Sequence, residues 1–369
     1  MTEIALRVEN LRKTFGNTIA VDDISFEIKR GEFFSLLGPS GCGKTTTLRC
    51  IAGLEKPDKG RIIIGGEDVT ELPPQKRNVG LVFQEYAVFP HMTVYENIAF
   101  GLMIKKLPKD EIRRKVIEIA ELLELNPYLN IKGAKLSLAL MQRVAIARSI
   151  VVEPEILLLD EPLTLVDAKM KESMRRELRR YQKELGVTIL HVTHDQLEAM
   201  MVSDKVAVMC QGKILQIGTP FNVYDNPSNI FVAKFIGSPT MNFIEGRLEC
   251  QDSELLMVSD DVRIRLSDFP LEKLRDYVSR EIILGVRPED IEISTQPAIG
   301  SITGKITLIE TVGNKLEITV ELNSLTLKIL SPLRADLKIG QPIHLKMKPG
   351  KVHIFDKITE KNILSEEVW

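Results

Sequence analysis

Residues 33–54 read FFSLLGPSGCGKTTTLRCIAGL. An apolar run, a glycine-rich turn and a helix-forming run follow one another, which predicts a buried strand, a loop and a helix. Gly38–Thr45, GPSGCGKT, matches G-x-x-x-x-G-K-[ST] at every fixed position. Gly38, Gly41 and Gly43 let the backbone curl so that successive N–H groups face phosphate oxygens, and the helix aims its positive end at the same place. Ser40, Cys42 and Thr46 belong to the same cradle. Lys44 is expected to pair with the β- and γ-phosphates and the Thr45 hydroxyl to bind Mg²⁺. Cys42 reads as a small space-filling residue rather than a redox group.

On either side of this stretch the texture repeats. A second buried strand, ILLLD (156–160), follows a long helical stretch (110–150), and a third, TILHVTH (188–194), follows a helix over 168–185. Strands alternating with helices predict a parallel α/β sheet. Residues 1–30 alternate apolar and polar and predict edge strands of an antiparallel sheet. From about Ile236 short strand-like runs appear: VRIRL, EIILGV, KITLIETV, KLEITVEL and VHIF, separated by turns. They predict a small all-β, barrel-like domain. The expected domains are 1–236, with a helical subdomain at about 86–150, and 237–369.

Composition narrows the function classes. A 369-residue chain fits two or three domains, and 44% hydrophobic with 27% charged residues is ordinary for a globular protein. A net charge of −2 gives no basic field for nucleic acid. Cys42, Cys50, Cys210 and Cys250 form no CxxC pair, so zinc is not expected and a reducing cytoplasmic setting is. The N-terminal segment carries charges throughout and does not read as a signal peptide. No run of about 18 apolar residues occurs, so any membrane role is expected to go through a partner.

A carboxylate pair closes the second strand. Asp160 is placed to hold Mg²⁺, and Glu161 to polarise an attacking water as general base. With VFQ (82–84), ILLLDEP and VTHD (192–195), the chain resembles ATP-binding-cassette (ABC) ATPases, and most closely the MalK-type subunits of sugar importers. EYAVFPHMTVYENIAF (85–100), FVAKFIGSPTMNF (231–243) and GVRPEDI (285–291) extend the resemblance over nearly the whole length.

The resemblance implies roles at matching positions. Phe15 stacks on adenine; Gln84 ligates near Mg²⁺ and senses a transport subunit; His194 donates to the γ-phosphate; Asp167 lies at a dimer interface. His191 reads as structural. Tyr86–Phe100, read as helical and aromatic, looks like the face that meets a membrane subunit. The resemblance also implies ATP and Mg²⁺, a second cassette, permease subunits, an indirect solute-binding protein, no nucleic acid, and a place on the inner face of the cell membrane. The tail resembles the family's OB-like regulatory barrel.

Two segments depart from that pattern. The family's LSGGQ appears as Leu136, Ser137, Leu138, Ala139 and Leu140. Ser137, which touches a partner's nucleotide in the family, survives. Leu138 and Ala139 add β-carbons where the partner's phosphate packs, and Leu140 has no amide. The family's Ser-Asn-Leu-Asp appears as Thr164, Leu165, Val166 and Asp167. Three readings stay open: pairing with a different cassette whose signature is intact, a slow homodimer, or a tolerated variant. The alternatives are an ATP-binding, dimerising regulatory protein without a transport role, or an importer ATPase for another solute such as polyamine, iron or sulfate.

Overall fold

The computed structural model describes residues 3–251, 254–259, 262–266, 274–297 and 301–364. By packing the chain divides into Met1–Phe221 and Asn222–Trp369. The division falls before the expected change at Gly237, because the short helices that precede it count with the second unit.

The first unit opens with β1 (Ile4–Phe15) and β2 (Thr18–Lys29), which pair antiparallel. β3 (Phe33–Leu37), buried at all five positions, leads into α1 (Lys44–Ala52). β4 (Lys59–Ile64) and β5 (Glu67–Asp68) complete a four-stranded sheet in the order β2-β1-β4-β5. β6 (Val79–Val82), α2 (Val94–Ile104), α3 (Lys109–Leu122) and α4 (Leu138–Ile150) follow. Then come β7 (Ile156–Asp160), α5 (Ala168–Leu185), β8 (Ile189–Thr193), α6 (Gln196–Val202), β9 (Lys205–Cys210) and β10 (Lys213–Gly218). The six-stranded sheet runs β10-β9-β3-β8-β7-β6, parallel except where β10 turns back on β9. The expected α/β core with an antiparallel edge sheet is therefore present. Its central strands end side by side at Leu37, Asp160 and Thr193, the carboxyl edge where ligands bind in open α/β sheets.

Two helical expectations need correction. The 110–150 stretch is not continuous: α3 stops at Leu122, two single 3₁₀ turns intervene, and α4 starts at Leu138. Nor is 86–100 helical throughout. α2 begins only at Val94, where Thr93 and Glu96 form a reciprocal capping box. Tyr86 and Ala87 lie at φ of +59° and +46°, outside any right-handed helix.

Among the described residues the second unit is mainly β-strand, with α7 (Pro220–Asp225), which carries the division, α8 (Ile230–Phe235) and single 3₁₀ turns at Arg275–Tyr277 and Pro288–Asp290. β11 (Asn242–Gln251), β12 (Glu254–Val258), β13 (Arg263–Arg265), β14 (Glu281–Val286) and β20 (Val352–Asp356) form one antiparallel sheet. β15 (Ile291–Ser294), β16 (Ile302–Val312), β17 (Lys315–Leu322), β18 (Leu325–Pro332) and β19 (Pro342–Met347) form the other. Alternate residues of both sheets, among them Ile244, Leu284, Ile318 and Ile329, share one core. At the edge strand β18 the Asn242 amide acts as a strand substitute: its Nδ2 donates to Lys328 O at 2.8 Å and its Oδ1 accepts from Lys328 N–H at 2.8 Å. Among the described residues no helix is long and apolar enough to cross a membrane.

Candidate functional site

The loop 38–45 is shaped by what its glycines lack. A β-carbon on Gly38 would lie 2.1 Å from Met209 O, and one on Gly43 2.1 Å from Ala20 O. Gly43 also holds φ at +103° and gives the start of α1 no side-chain cap, leaving that helix end to an external acceptor. Lys44 is buried, and its ammonium donates to Gly38 O and Pro39 O, both at 2.9 Å, with Cys42 Sγ at 3.6 Å. A buried cation held by neutral carbonyls and a thiol is a site that an anion would stabilise. Burial pushes the Cys42 thiol up, so it stays protonated and fills space. Ser40 and Gly41 are exposed; Thr45 and Thr46 are half-buried on the first turn of α1.

Thr45 Oγ1 donates to Asp160 Oδ1 at 3.1 Å, joining the start of α1 to the end of β7. Burial raises the Asp160 carboxyl, with Glu161 adding to the rise and the Thr45 bond opposing it. Two hard oxygen donors side by side fit a small divalent cation, whose charge would favour the ionised carboxylate. The next residue, Glu161, lies at φ +47° and is tied by its N–H to Val192 O at 2.9 Å. Its Oε2 is 3.0 Å from His194 Nδ1 and accepts from Thr164 Oγ1 at 3.1 Å. A carboxylate only accepts, so Nδ1 carries the proton in this contact. Acid, histidine and Mg²⁺-type donors thus meet at the ends of β7 and β8.

Phe15, Gln84 and Ser137 stand apart: among the described residues none hydrogen-bonds to these groups. Phe15 is 48% exposed at the end of β1, with the Lys13 ammonium 5.1 Å from its ring centroid. Gln84 is exposed after β6. Ser137 caps α4 by accepting from Leu140 N–H at 3.4 Å. Asp167 caps α5 in the same way, from Met170 N–H at 3.0 Å.

A buried polar chain lies behind His194. His191 is fully buried, with Nδ1 2.9 Å from Ser35 Oγ and Nε2 2.8 Å from Glu198 Oε1. The other Glu198 oxygen accepts from Thr193 Oγ1 at 3.0 Å, and Thr193 Oγ1 accepts from Asp195 N–H at 3.0 Å. The peptides on both sides of His194 are therefore fixed by this chain.

The segment after Gln84 is held just as closely. Asn97 of α2 accepts from Phe89 N–H at 2.9 Å and donates to Phe89 O at 3.1 Å and Thr93 O at 2.9 Å. Arg148 of α4 donates to Ala87 O at 2.8 Å and Tyr86 O at 3.2 Å and covers the Phe89 ring. These clamps replace the helix expected there.

The departing residues divide. Leu138 and Leu165 are 44% and 46% exposed. Ala139, expected on the same outer face, instead packs against Leu163, Val166 and Met174, and Leu140 packs against the helical core. The helical turn rotates successive side chains by about 100°, so Leu138 alone of the three points fully outward. Gln142 and Glu198 are site neighbours that sequence reasoning missed, while Tyr86 was read only as part of a partner-facing segment and Thr164 only as a departure from the family pattern. Only Thr164 carried a local signal, a hydroxyl three residues after the carboxylate.

Comparison with known proteins places this geometry. Residues 21–164 match the ABC transporter family, 237–291 the MalK OB fold domain and 284–355 the TOBE domain. The trehalose/maltose import ATP-binding protein MalK of Thermococcus litoralis is 42% identical, covering 97% of this chain and 99% of its own. The oligosaccharides import ATP-binding protein MsmX of Bacillus subtilis is 40% identical over 97% of this chain and 99% of its own. The spermidine/putrescine import ATP-binding protein PotA of Clostridium novyi is also 40% identical, over 98% and 100%. Among solved structures, cbiO1 of Clostridium perfringens, part of an ABC transporter complex, superposes with TM-score 0.56 at 34% identity, covering 60% of this chain and 90% of that one. A dimeric ATP-binding cassette in a post-hydrolysis state with ADP and Pi does so with TM-score 0.52 at 30% identity, over 58% and 98%.

Proposed function

This chain belongs to the ABC transporter ATPases of the MalK type, and from that premise we propose that it hydrolyses ATP to drive a binding-protein-dependent importer. The solute we assign is a sugar, in keeping with the trehalose/maltose and oligosaccharide relatives. The polyamine relatives, of similar identity, name the competing solute class. Solute choice then lies with other subunits. The chain works as one of two cassettes on the cytoplasmic face, held to the membrane by permease subunits.

One observation carries the hydrolytic reading: the Thr45–Asp160 and Glu161–His194 contacts sit on adjacent strand ends beside a buried, anion-seeking Lys44. Phe15 stacks on the adenine, and Ser40, Gly41, Gly43, Lys44, Thr45 and Thr46 cradle the phosphates. Mg²⁺, when held by Thr45, Asp160 and Gln84, offsets phosphate charge. Glu161 takes the proton of the attacking water. With Nδ1–H committed to Glu161, a neutral His194 ring has only an acceptor left at Nε2. Donation to the γ-phosphate therefore requires the protonated ring or release of the Glu161 contact.

The second reading rests on the exposed Leu138 and Leu165. We assign this chain a competent nucleotide grip and an impaired signature, so that its natural partner is a different cassette whose signature is intact. The test is steady-state Mg·ATPase of the purified chain beside the triple variant Leu138→Gly, Ala139→Gly, Leu140→Gln. Signature contacts to a charged group are worth about 1.5–3 kcal/mol each. The variant should then turn over about 10- to 100-fold faster at unchanged ATP affinity. Equal rates would make this an ordinary homodimeric importer motor.

A further inference from the structure

The carbonyl of Pro162, the residue after Glu161, accepts two side-chain donors from distant parts of the first unit. Tyr86 Oη donates at 2.9 Å and Gln142 Nε2 at 3.3 Å. Both side chains are buried, at 1% and 4% exposure. Tyr86 begins the clamped segment after Gln84. Gln142 sits on α4, the helix whose N-terminus carries the Ser137 signature. The same helix grips Tyr86 O and Ala87 O through Arg148.

Glu161, which precedes Pro162, Tyr86, which donates to its carbonyl, and Ala87, next to Tyr86, all hold left-handed backbone. Each such conformation is strained for a residue with a side chain and persists only where its surroundings over-determine it. For Glu161 those surroundings are the Val192 carbonyl on one side and the Pro162 hub on the other. Burial pushes the Tyr86 hydroxyl up to about 12, so it remains a donor at any working pH.

We propose that Tyr86 and Gln142 are positioning residues that make the geometry of Glu161 depend on both the 85–93 segment and the signature helix. The proposal rests on Glu161 being the hydrolytic base. A shift of α4 toward or away from a second cassette pulls Gln142 and Arg148 together. A shift of the 85–93 segment pulls Tyr86. Either movement reaches the Glu161–Pro162 peptide through one acceptor, so the base is held in place only when both elements are seated. The same α4 that serves a neighbour's nucleotide thereby reports its seating to this chain's own carboxylate.

The test uses the full-length chain, in its natural sequence and in the triple variant with the signature restored. Tyr86→Phe and Gln142→Met each remove one donor and keep the buried volume. Each should lower kcat about tenfold with KM for ATP unchanged, since small misplacements of a reacting group act on turnover. The double variant should fall well short of the product of the two losses, because both donors share one acceptor. A merely structural role would lower ATP affinity and thermal stability along with kcat. That pattern, or kcat within about twofold of the parent, overturns the proposal. Hydrogen exchange gives a readout independent of turnover. Tyr86→Phe should speed exchange of the Thr164 and Val166 amides, which close the turn after Glu161, and of the first turns of α4. Faster exchange confined to 85–93 overturns the proposal even if no background hydrolyses ATP, a result that would separately sink the hydrolytic reading.

Discussion

The loop proposed to grip a nucleotide and the helix end proposed to meet a neighbour's nucleotide are fixed by different means. Around Lys44 this chain's own packing sets the shape: β-carbons on Gly38 or Gly43 would lie 2.1 Å from backbone oxygens of Met209 and Ala20. Substitution there breaks the fold before it changes the chemistry. Around Ser137 nothing in the chain forbids Leu138, which is 44% exposed, or Leu165, which is 46% exposed. This chain's own packing does not enforce the shape of that second surface. A cassette can therefore lose half of a shared site and keep a well-packed fold, whereas its own half is protected by its core.

The hardest test of that asymmetry is Glu161→Gln. It should reduce hydrolysis by about 10³-fold or more while ATP binding, measured by equilibrium titration, stays within about threefold. Retained hydrolysis would break the comparison, since the grip would then not be the working half. Next is a mixing experiment. A chain carrying both the restored signature and Glu161→Gln supplies a signature but no base; the natural chain supplies a base but no signature. The mixture should recover about 10-fold or more of the activity that either lacks alone, by the contacts estimated above. No recovery would place the defect elsewhere than at Leu138–Leu140.

A smaller effect concerns the support behind the grip. His191→Leu leaves Glu198 buried without its imidazole partner and should cost about 3 kcal/mol of unfolding free energy by chemical denaturation. An unchanged midpoint would mean that Thr193 alone satisfies Glu198. The smallest effect lies in the second unit. Burial lowers His353 from 6.5 to about 4, with the Arg287 charge adding to the shift. A depressed histidine is neutral when folded and takes up a proton on unfolding. Its contribution is thus complete above pH 6.5 and is lost as pH falls from there toward about 4. Replacing His353 with Phe should flatten that slope in thermal unfolding, while the grip of the first unit on ATP stays as it was.

Much of this was legible in the sequence where the cause is local. The phosphate loop, the carboxylate pair that closes ILLLDE and the strand–helix alternation each follow from a few adjacent residues. The all-β tail was legible from period-two runs such as KLEITVEL. The 85–93 segment was not. Its helical propensity is overridden by Asn97 and Arg148, which claim its carbonyls from α2 and α4. The direction of Ala139 was missed because it depends on where α4 begins. The Pro162 hub has no sequence signature, since Tyr86 and Gln142 meet it only through the folded sheet and helices.

The Asn242 amide on Lys328 has a consequence for handling the protein. An open sheet edge offers other chains a row of unpaired backbone groups, and growth of such an edge is how sheets run into aggregates. In this chain one side chain fills the middle of the β18 edge with its own donor and acceptor. The β18 edge of one copy is then closed to the sheet of a second, however concentrated the protein.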